Sequence, residues 1–137
     1  MRTLLLKTLI IGLTIIGFSS CDEDCTNYLA PALIDRLEIR GDTIALNTSA
    51  SYTITFGEES LTIDVFHFSL NDCGDFQSFR RSEQNIEPWI IYKGCDCNEI
   101  SRIEASRYEF IPEERGDFTL NFLSENGESI ILYILVE

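Results

Sequence analysis

The chain has few cations. Its 137 residues contain 10 lysine and arginine residues against 23 aspartate and glutamate residues, which gives a formal net charge of −13 at pH 7. Arg80-Arg81 is the only pair of adjacent basic residues. Nucleic acids and anionic lipid headgroups are bound by clustered cations, so we expect no nucleic-acid partner. An acidic surface keeps a domain soluble, and it would also suit a bound cation or a basic partner.

The sequence also lacks the residues that usually form a catalytic centre. His67 is the only histidine, and it lies between Phe66 and Phe68 in a predicted strand. If these phenylalanines face the core, His67 points away from it. A general base needs an orienting partner and a nucleophile nearby, but no Gly-X-Ser-X-Gly element is present and paired carboxylates such as Glu113-Glu114 fall in predicted turns. We therefore expect no enzymatic activity, no cofactor and no metal.

No long apolar run is visible at the N-terminus. The apolar stretch from Thr8 to Phe18 offers about half of the roughly 20 residues that a membrane-spanning helix needs. It follows two basic residues, Arg2 and Lys7, and is followed by Ser19-Ser20-Cys21. A basic segment, a short apolar segment and small residues before a cleavage point are typical of an export signal.

This arrangement resembles the signal peptide of bacterial lipoproteins, although Phe18 stands where that family usually has leucine. The resemblance implies that residues 1–20 are removed, that Cys21 is lipidated, and that residues 21–32 form a lipidated tether. Loss of the two basic residues of the signal would change the net charge from −13 to −15. An uncleaved signal anchor is the alternative.

Two further patterns concern the place of the protein in the cell. Asp22-Glu23-Asp24 directly follows the lipidation cysteine and resembles the export signal of surface lipoproteins in bacteria of the Bacteroidota type. Asp42-Thr43-Ile44 resembles the short O-glycosylation motif of the same bacteria, which makes Thr43 a candidate glycosylation site. The resemblances imply a lipid-anchored protein of the outer membrane, displayed at the cell surface or otherwise facing the periplasm.

Four cysteines remain once Cys21 is assigned to the lipid, namely Cys25, Cys73, Cys95 and Cys97. An even number of cysteines in an exported domain predicts two disulfides. A bond between Cys95 and Cys97 is disfavoured, because residues two apart rarely reach disulfide geometry. The sequence therefore leaves Cys25 paired with Cys95 or Cys97, and Cys73 with the other one. A zinc site of four thiolates is the rival interpretation, but Cys-X-Cys is tighter than the usual zinc spacing.

From residue 33 onwards, short runs of alternating apolar and polar residues are separated by turn residues, which is typical of β-strands. The clearest run, at residues 51–56, has Tyr52, Ile54 and Phe56 on one face. Seven to nine such runs predict one all-β sandwich domain at residues 33–137.

Three segments do not follow a simple alternation. Residues 61–70 carry apolar side chains on one face up to Val65 and on the other face from Phe66, which predicts a β-bulge between these two residues. Residues 30–36 favour a short helical turn, and residues 78–86 favour a helical or irregular excursion.

Two aromatic motifs mark the C-terminal third, Tyr108-Glu-Phe110-Ile-Pro112 and Gly116-Asp-Phe118-Thr-Leu120, and a final hairpin strand follows them. A turn glycine thus precedes an aromatic residue that begins the penultimate strand. This arrangement resembles the closing strands of bacterial immunoglobulin-like domains. The resemblance implies a small antiparallel immunoglobulin-like β-sandwich, a fold that has many unrelated functions.

Two further features contain residues of the types found in ligand sites. The segment Asn71-Asp72-Cys73-Gly74-Asp75 groups three oxygen-bearing side chains around a glycine, but it lacks the length and terminal glutamate of an EF-hand loop. We therefore expect a plain turn there. Trp89 and Tyr92 are of the aromatic type that stacks on sugar rings, but a regular strand places them on opposite faces. Trp89 is the candidate ligand contact, and a core position is the alternative.

These observations predict a lipid-anchored, non-catalytic binding or accessory module of the envelope, with a protein or a glycan as its ligand. The alternative is an envelope inhibitor or immunity-type lipoprotein that blocks an enzyme or toxin, with an acidic surface matching a basic target. The expected structures differ. A glycan binder should expose Trp89 in a shallow groove, whereas an inhibitor should gather acidic side chains on one face.

Overall fold

The computed structural model describes residues 26–57, 59–94 and 96–137, which form ten β-strands and no helix. The strands are β1 (Tyr28–Pro31), β2 (Leu33–Ile39), β3 (Asp42–Ala45), β4 (Ser49–Ile54), β5 (Leu61–Ser69), β6 (Gly74–Ser82), β7 (Asn85–Tyr92), β8 (Arg102–Phe110), β9 (Gly116–Leu123) and β10 (Ser129–Val136).

The strands form two sheets that pack face to face. The six-stranded sheet has the order β1-β7-β9-β10-β4, with β6 also paired to β7, and the four-stranded sheet has the order β3-β2-β5-β8. The predicted all-β sandwich is confirmed. Most neighbouring strands are antiparallel, but β4 runs parallel to β10 and β7 runs parallel to β9, so the sandwich is not purely antiparallel.

The chain crosses from one sheet to the other at Ala32. Strand β1 ends at Pro31 in the six-stranded sheet, where that residue pairs with Trp89. Leu33 then begins β2 in the four-stranded sheet, where it pairs with Phe68. Strand β1 thus lies inside the segment 21–32 for which the sequence predicted a tether, so the end of that segment belongs to the folded domain.

Alternate residues of the strands point between the sheets and form the core. In β10 the buried residues are Ile130, Leu132, Ile134 and Val136, and the residues between them face outward. Full burial of such a side chain contributes roughly 1.5–3 kcal/mol. The other members of the main core are Ile34, Leu37, Ile39, Ile44, Ile54, Leu61, Ile63, Val65, Ile86, Phe110, Leu120 and Phe122.

Every second residue of β5 is buried, without interruption, along the whole strand. The predicted bulge between Val65 and Phe66 is therefore wrong. Its buried residues are Leu61, Ile63, Val65, His67 and Ser69. Phe66 and Phe68 are half-buried on the outer face, where the guanidinium carbon of Arg36 lies 3.9 Å from the centroid of the Phe66 ring. His67 therefore points into the core, opposite to the direction expected from its phenylalanine neighbours.

The helical or irregular segment predicted at residues 78–86 is also wrong, because β6 and β7 form a hairpin there. The pairing shifts between Phe76 and Ser78, and Gln77 is the extra residue of a β-bulge. The bulge lets Phe76 and Phe79 face the interior together, with ring centroids 4.8 Å apart. A spacing of three residues is typical of a helix, which explains the error.

A second bulge accounts for residues 30–36, where a helical turn was predicted. The pairing of β2 with β5 shifts between Ile34 and Arg36, which leaves Asp35 as the extra residue. Ile34 and Leu37 are both buried although they are three residues apart. The apolar spacing again imitates a helix, and the segment is extended.

Strand β7 begins at Asn85, and it contains Pro88. On one edge, β7 pairs with β9 up to Ile86 and with β1 from Trp89 onwards. The carbonyl of Pro88 accepts the N–H of Ala32 at 2.8 Å. The N–H and C=O groups of one strand residue point to the same side of the strand. The N–H group that proline lacks would therefore point to the place where β7 has left β9 and does not yet pair with β1.

Candidate functional site

His67 lies in the core between the two sheets. One ring nitrogen, Nε2, is 2.9 Å from the hydroxyl oxygen of Ser106, and the imidazole packs 5.6 Å from the ring of Phe76. The other ring nitrogen, Nδ1, is buried without a hydrogen-bond partner among the described residues. Burial lowers the pKa of His67 from 6.5 to about 4. The imidazole is therefore neutral at neutral pH and has a packing role.

One disulfide joins Cys73 to Cys97, with Cα atoms 5.5 Å apart. This is one of the two pairings that the sequence left open for Cys73. The two sulfur atoms are bonded to each other, so they are not the thiolates that the rival zinc site would need. Cys25 and Cys95 lie outside the described residues, as does the predicted lipidation residue Cys21, and their assignments stay predictions.

The calcium candidate, residues 71–75, consists of a turn followed by the first residues of β6. The Asp72 carboxylate accepts hydrogen bonds from the backbone N–H of Asn98 at 2.7 Å and from its side-chain amide at 2.8 Å. These bonds hold the pKa of Asp72 below its ordinary value. The side-chain oxygen of Asn71 accepts the N–H of Cys73 at 3.0 Å. The side-chain oxygens of Asn71 and Asp72 are thus engaged in hydrogen bonds, whereas the Asp75 carboxylate is exposed and lies 3.7 Å from Arg102. The expected turn ends at Cys73, and β6 begins at Gly74.

At the opposite end of the sandwich, the turn between β2 and β3 borders a shallow cavity of about 370 Å³. Its polar lining comprises Glu38, Arg40, Glu59, Ser60, Thr62 and Asp64. Arg40 pairs with Glu59 at 3.3 Å. Arginines outside the cavity hold the other two carboxylates, with Arg36 on Glu38 and Arg107 on Asp64. The cavity therefore presents no unpaired carboxylate among the residues that line it.

The ion pairs of Arg36 and Arg107 also determine the charge on the outer face of the four-stranded sheet. Arg36 lies 2.6 Å from Asp35 and 3.0 Å from Glu38, and Arg107 lies 2.9 Å from Asp64. Glu38 and Asp64 are cross-strand neighbours, and each is paired with an arginine. These ion pairs neutralise part of the acidic charge of this face, which weakens the inhibitor alternative.

The outer face of the six-stranded sheet carries an apolar surface. Leu29 is paired with Ile91, and Pro31 is paired with Trp89, so these four side chains share the outward side of β1 and β7. All four are exposed or half-buried. Arg80 on β6 adjoins them, and we name the five residues Leu29, Pro31, Arg80, Trp89 and Ile91 the Trp89 face.

Trp89 is fixed at the centre of this face. The guanidinium carbon of Arg80 lies 3.6 Å from the centroid of the indole, whose Nε1–H donates to the carboxylate of Glu87 at 3.2 Å. Tyr92 points the other way and is buried, with its ring stacked on that of Tyr28 at 4.9 Å. The prediction that Trp89 and Tyr92 face opposite sides is confirmed, and Trp89 does not belong to the core.

Sequence reasoning missed the neighbours of Trp89. Arg80 and Glu87 are cross-strand partners in the β6–β7 hairpin. The bulge at Gln77 interrupts the alternation of β6, so the sequence did not predict this hairpin. Further along the same outer face, the side-chain amide of Asn121 donates to the oxygen of Asn85 at 2.9 Å. The alternation of β7, with Ile86 and Ile90 buried, was the one sequence signal that could have assigned Glu87 to the side of Trp89.

Thr43, the candidate glycosylation site, is exposed on β3, an edge strand of the four-stranded sheet. It pairs with Glu38 on β2. A glycosyltransferase could reach the hydroxyl in the folded domain, and the modification stays a prediction.

Comparison with known proteins gives no relative, because no protein-family model, curated protein or solved structure matches the chain. Within the described part of the chain, no helix has the length and apolar character required to cross a membrane.

Proposed function

We propose that this protein is a lipid-anchored, non-catalytic module of the bacterial outer membrane that binds a protein partner through the Trp89 face. The observation that carries the proposal is the position of the only tryptophan, which lies outward on a sheet rather than in the core. The inward positions of β7 are filled by Ile86, Ile90 and Tyr92, so packing alone does not account for an outward indole.

The composition of the Trp89 face fits a protein ligand. Tryptophan and arginine dominate the binding energy of protein interfaces, where apolar neighbours exclude water around them. Leu29, Pro31 and Ile91 supply such neighbours. Among the described residues, Arg80 forms no ion pair with a carboxylate, so its charge is available to an acidic group of the partner.

A glycan is a poorer fit to the same surface. A sugar ring would stack on the open face of an indole, but the guanidinium of Arg80 occupies a face of Trp89. The indole also lies on a sheet face between its cross-strand neighbours Pro31 and Ser78, rather than in the shallow groove expected for a glycan binder.

The anchor rests on the N-terminal sequence, in which Cys21 follows a lipoprotein-like signal. The environment of His67 supports a non-catalytic role. Its two ring nitrogens face Ser106 and the core, where a substrate cannot reach them.

The proposal is tested by crosslinking in intact cells of a bacterium that exports the full chain. A photoreactive residue replaces Ser78, the exposed cross-strand neighbour of Trp89, and a control variant carries the same residue in place of Tyr133. Tyr133 is exposed on the same sheet, on β10. We expect a discrete protein adduct from position 78 that disappears in the Trp89→Ala background.

Equal adducts from both positions, or an adduct that survives Trp89→Ala, would contradict binding through this face. A carbohydrate adduct at position 78 would instead assign the face to a glycan.

A further inference from the structure

We infer that the end of the sandwich bearing the disulfide rests on the membrane, where its exposed apolar side chains contact a neutral lipid surface. This inference depends on the lipid anchor of the proposed function. It concerns a different surface from the Trp89 face. We name the four residues Tyr28, Leu70, Ile100 and Ile103 the apolar tip.

The apolar tip gathers side chains that the fold leaves in water. The exposed fractions are 50% for Tyr28, 61% for Leu70, 62% for Ile100 and 48% for Ile103. The ring of Tyr28 stacks on Tyr92, whose hydroxyl oxygen accepts the N–H of Leu70 at 3.1 Å, so these residues are neighbours. Exposed apolar patches of this kind mark contact with a protein or a membrane.

The loops that carry the tip are held together rather than free. The disulfide between Cys73 and Cys97 joins the loop after β5 to the loop after β7. The paired hydrogen bonds from Asn98 to Asp72 tie the same two loops. The backbone N–H of Ile100 donates to the carbonyl of Asn98 at 2.7 Å, which links Ile100 to this structure. The tip therefore presents its side chains in a fixed arrangement.

The tether places this end next to the membrane. Strand β1 begins at Tyr28, seven positions after Cys21, the residue assigned to the lipid. Even a fully extended chain of that length spans no more than about 25 Å. The nine-residue strands β5 and β8 are about 30 Å long. The tether is thus too short to bring the opposite end, which carries Ile111, onto the bilayer.

The charges near the tip indicate the kind of lipid. Lys93 and Arg102 are exposed there, but the exposed carboxylates of Asp72, Asp75, Asp96 and Glu99 outnumber them. The run Asp22-Glu23-Asp24 adds further carboxylates in the tether. These carboxylates repel anionic headgroups. A zwitterionic surface accepts the apolar side chains without that repulsion, and tyrosine favours the boundary between headgroups and hydrocarbon.

The experiment uses the full chain, produced in a bacterium that processes lipoproteins and isolated with its lipid. The protein is placed in phosphatidylcholine nanodiscs that contain nitroxide-labelled phosphatidylcholine, and the isoleucine methyl signals are recorded by NMR. Ile111, which is 66% exposed at the far end, is the internal control. We expect the nitroxides to broaden Ile100 and Ile103 several-fold more than Ile111, and phosphatidylglycerol discs to reduce this difference.

Equal broadening of the three isoleucines, or no broadening, in protein that co-purifies with the discs would overturn the inference and leave the anchor intact. Protein that does not associate with the discs would overturn the anchor, and the inference with it. Undiminished broadening in phosphatidylglycerol would overturn the preference for neutral lipid.

A pair of variants checks the apolar contact itself. Combined Leu70→Ser and Ile103→Ser replacements remove exposed side chains, so the fold should be retained. We expect the ratio of docked to undocked domains to fall about tenfold, because half-exposed apolar side chains lose their contact with lipid. Ile111→Ser should leave the ratio unchanged. A ratio unaffected by the double replacement would overturn the inference.

Discussion

The guanidinium carbon of Arg80 lies 3.6 Å from the centroid of the Trp89 ring on the outer face of the six-stranded sheet. The two residues come from adjacent strands of a hairpin, and Trp89 also donates its indole N–H to Glu87. The contact explains how a large aromatic side chain is kept in one orientation outside the core. A surface held ready in this way loses little side-chain freedom on binding.

Replacement of Arg80 by alanine should uncover the indole. We expect the fluorescence of Trp89 to shift to longer wavelength, because the ring loses its cover and contacts water. Unfolding in urea should show a loss of about 0.5–1 kcal/mol, the usual value of an exposed cation–π contact. Arg81→Ala is the matched control, since Arg81 bonds the carbonyl of Glu83 instead. An unchanged emission maximum in Arg80→Ala would show that the stack does not form in solution.

The buried His67 should make the folded protein sensitive to moderate acid. The imidazole binds a proton near pH 6.5 in the unfolded chain but only near pH 4 in the folded protein. Between these values the unfolded state binds more protons, so the free energy of unfolding falls as the pH is lowered from about 6.5 to about 4. Full loss of this contribution amounts to about 3 kcal/mol.

The matched variant is His67→Gln, which keeps a polar group near Ser106 and does not titrate. Its free energy of unfolding should be flat from pH 6.5 down to about pH 5, where carboxylates begin to bind protons in the unfolded chain. Hydrogen bonds lower the pKa of Asp72 and of Glu128, so these carboxylates affect stability at lower pH, from about 4.5 downwards. Identical pH profiles for the wild type and His67→Gln would contradict the buried, neutral imidazole.

The disulfide between Cys73 and Cys97 closes a loop across 24 residues of sequence. Paired Cys73→Ser and Cys97→Ser replacements should lower the free energy of unfolding by about 3 kcal/mol, because the unfolded chain regains the freedom that the closed loop removes. Urea unfolding measures the change. Stability equal to that of the wild type would mean that the bond is not formed in the exported protein.

Gly74 is required for steric reasons. A Cβ atom at this position would lie 2.3 Å from the Ser69 hydroxyl and 2.6 Å from the Tyr92 ring. Gly74→Ala should therefore cost roughly 1–3 kcal/mol through overpacking. At Gly41 the comparable replacement meets no atom within 4 Å, and only its positive φ of 90° opposes alanine. Thermal unfolding compares the two variants, and a fully stable Gly74→Ala would contradict the close approach of these strands.

Strands could be predicted from the sequence wherever apolar and polar residues alternate regularly. Tyr52 and Ile54 share the inward side of β4, as the pattern at residues 51–56 predicted, whereas Phe56 lies beyond the end of the strand and is exposed. The bulges at Gln77 and Asp35 defeated the same reasoning, because each leaves two inward apolar residues three apart. Bulges are set by pairing with another strand, and that pairing is not visible in a local pattern.

The environment of His67 could not be predicted for a different reason. Local hydrophobicity favours the core for Phe66 and Phe68, and it favours the surface for histidine. Contacts from distant segments reverse the choice, because Arg36 covers Phe66 while Ser106 receives the imidazole. The Trp89 face was hidden in the same way, since Arg80 and Glu87 meet only in a hairpin that the sequence did not reveal.

The most direct test of the account is the mass of the N-terminal peptide of the protein isolated from membranes, since both the proposed function and the position of the apolar tip depend on the anchor. We predict a chain that starts at Cys21 and carries a diacylglyceryl group on its sulfur, and a Cys21→Ser variant that is neither cleaved nor lipidated. An unmodified peptide that retains residues before Cys21 would contradict a lipid-anchored module.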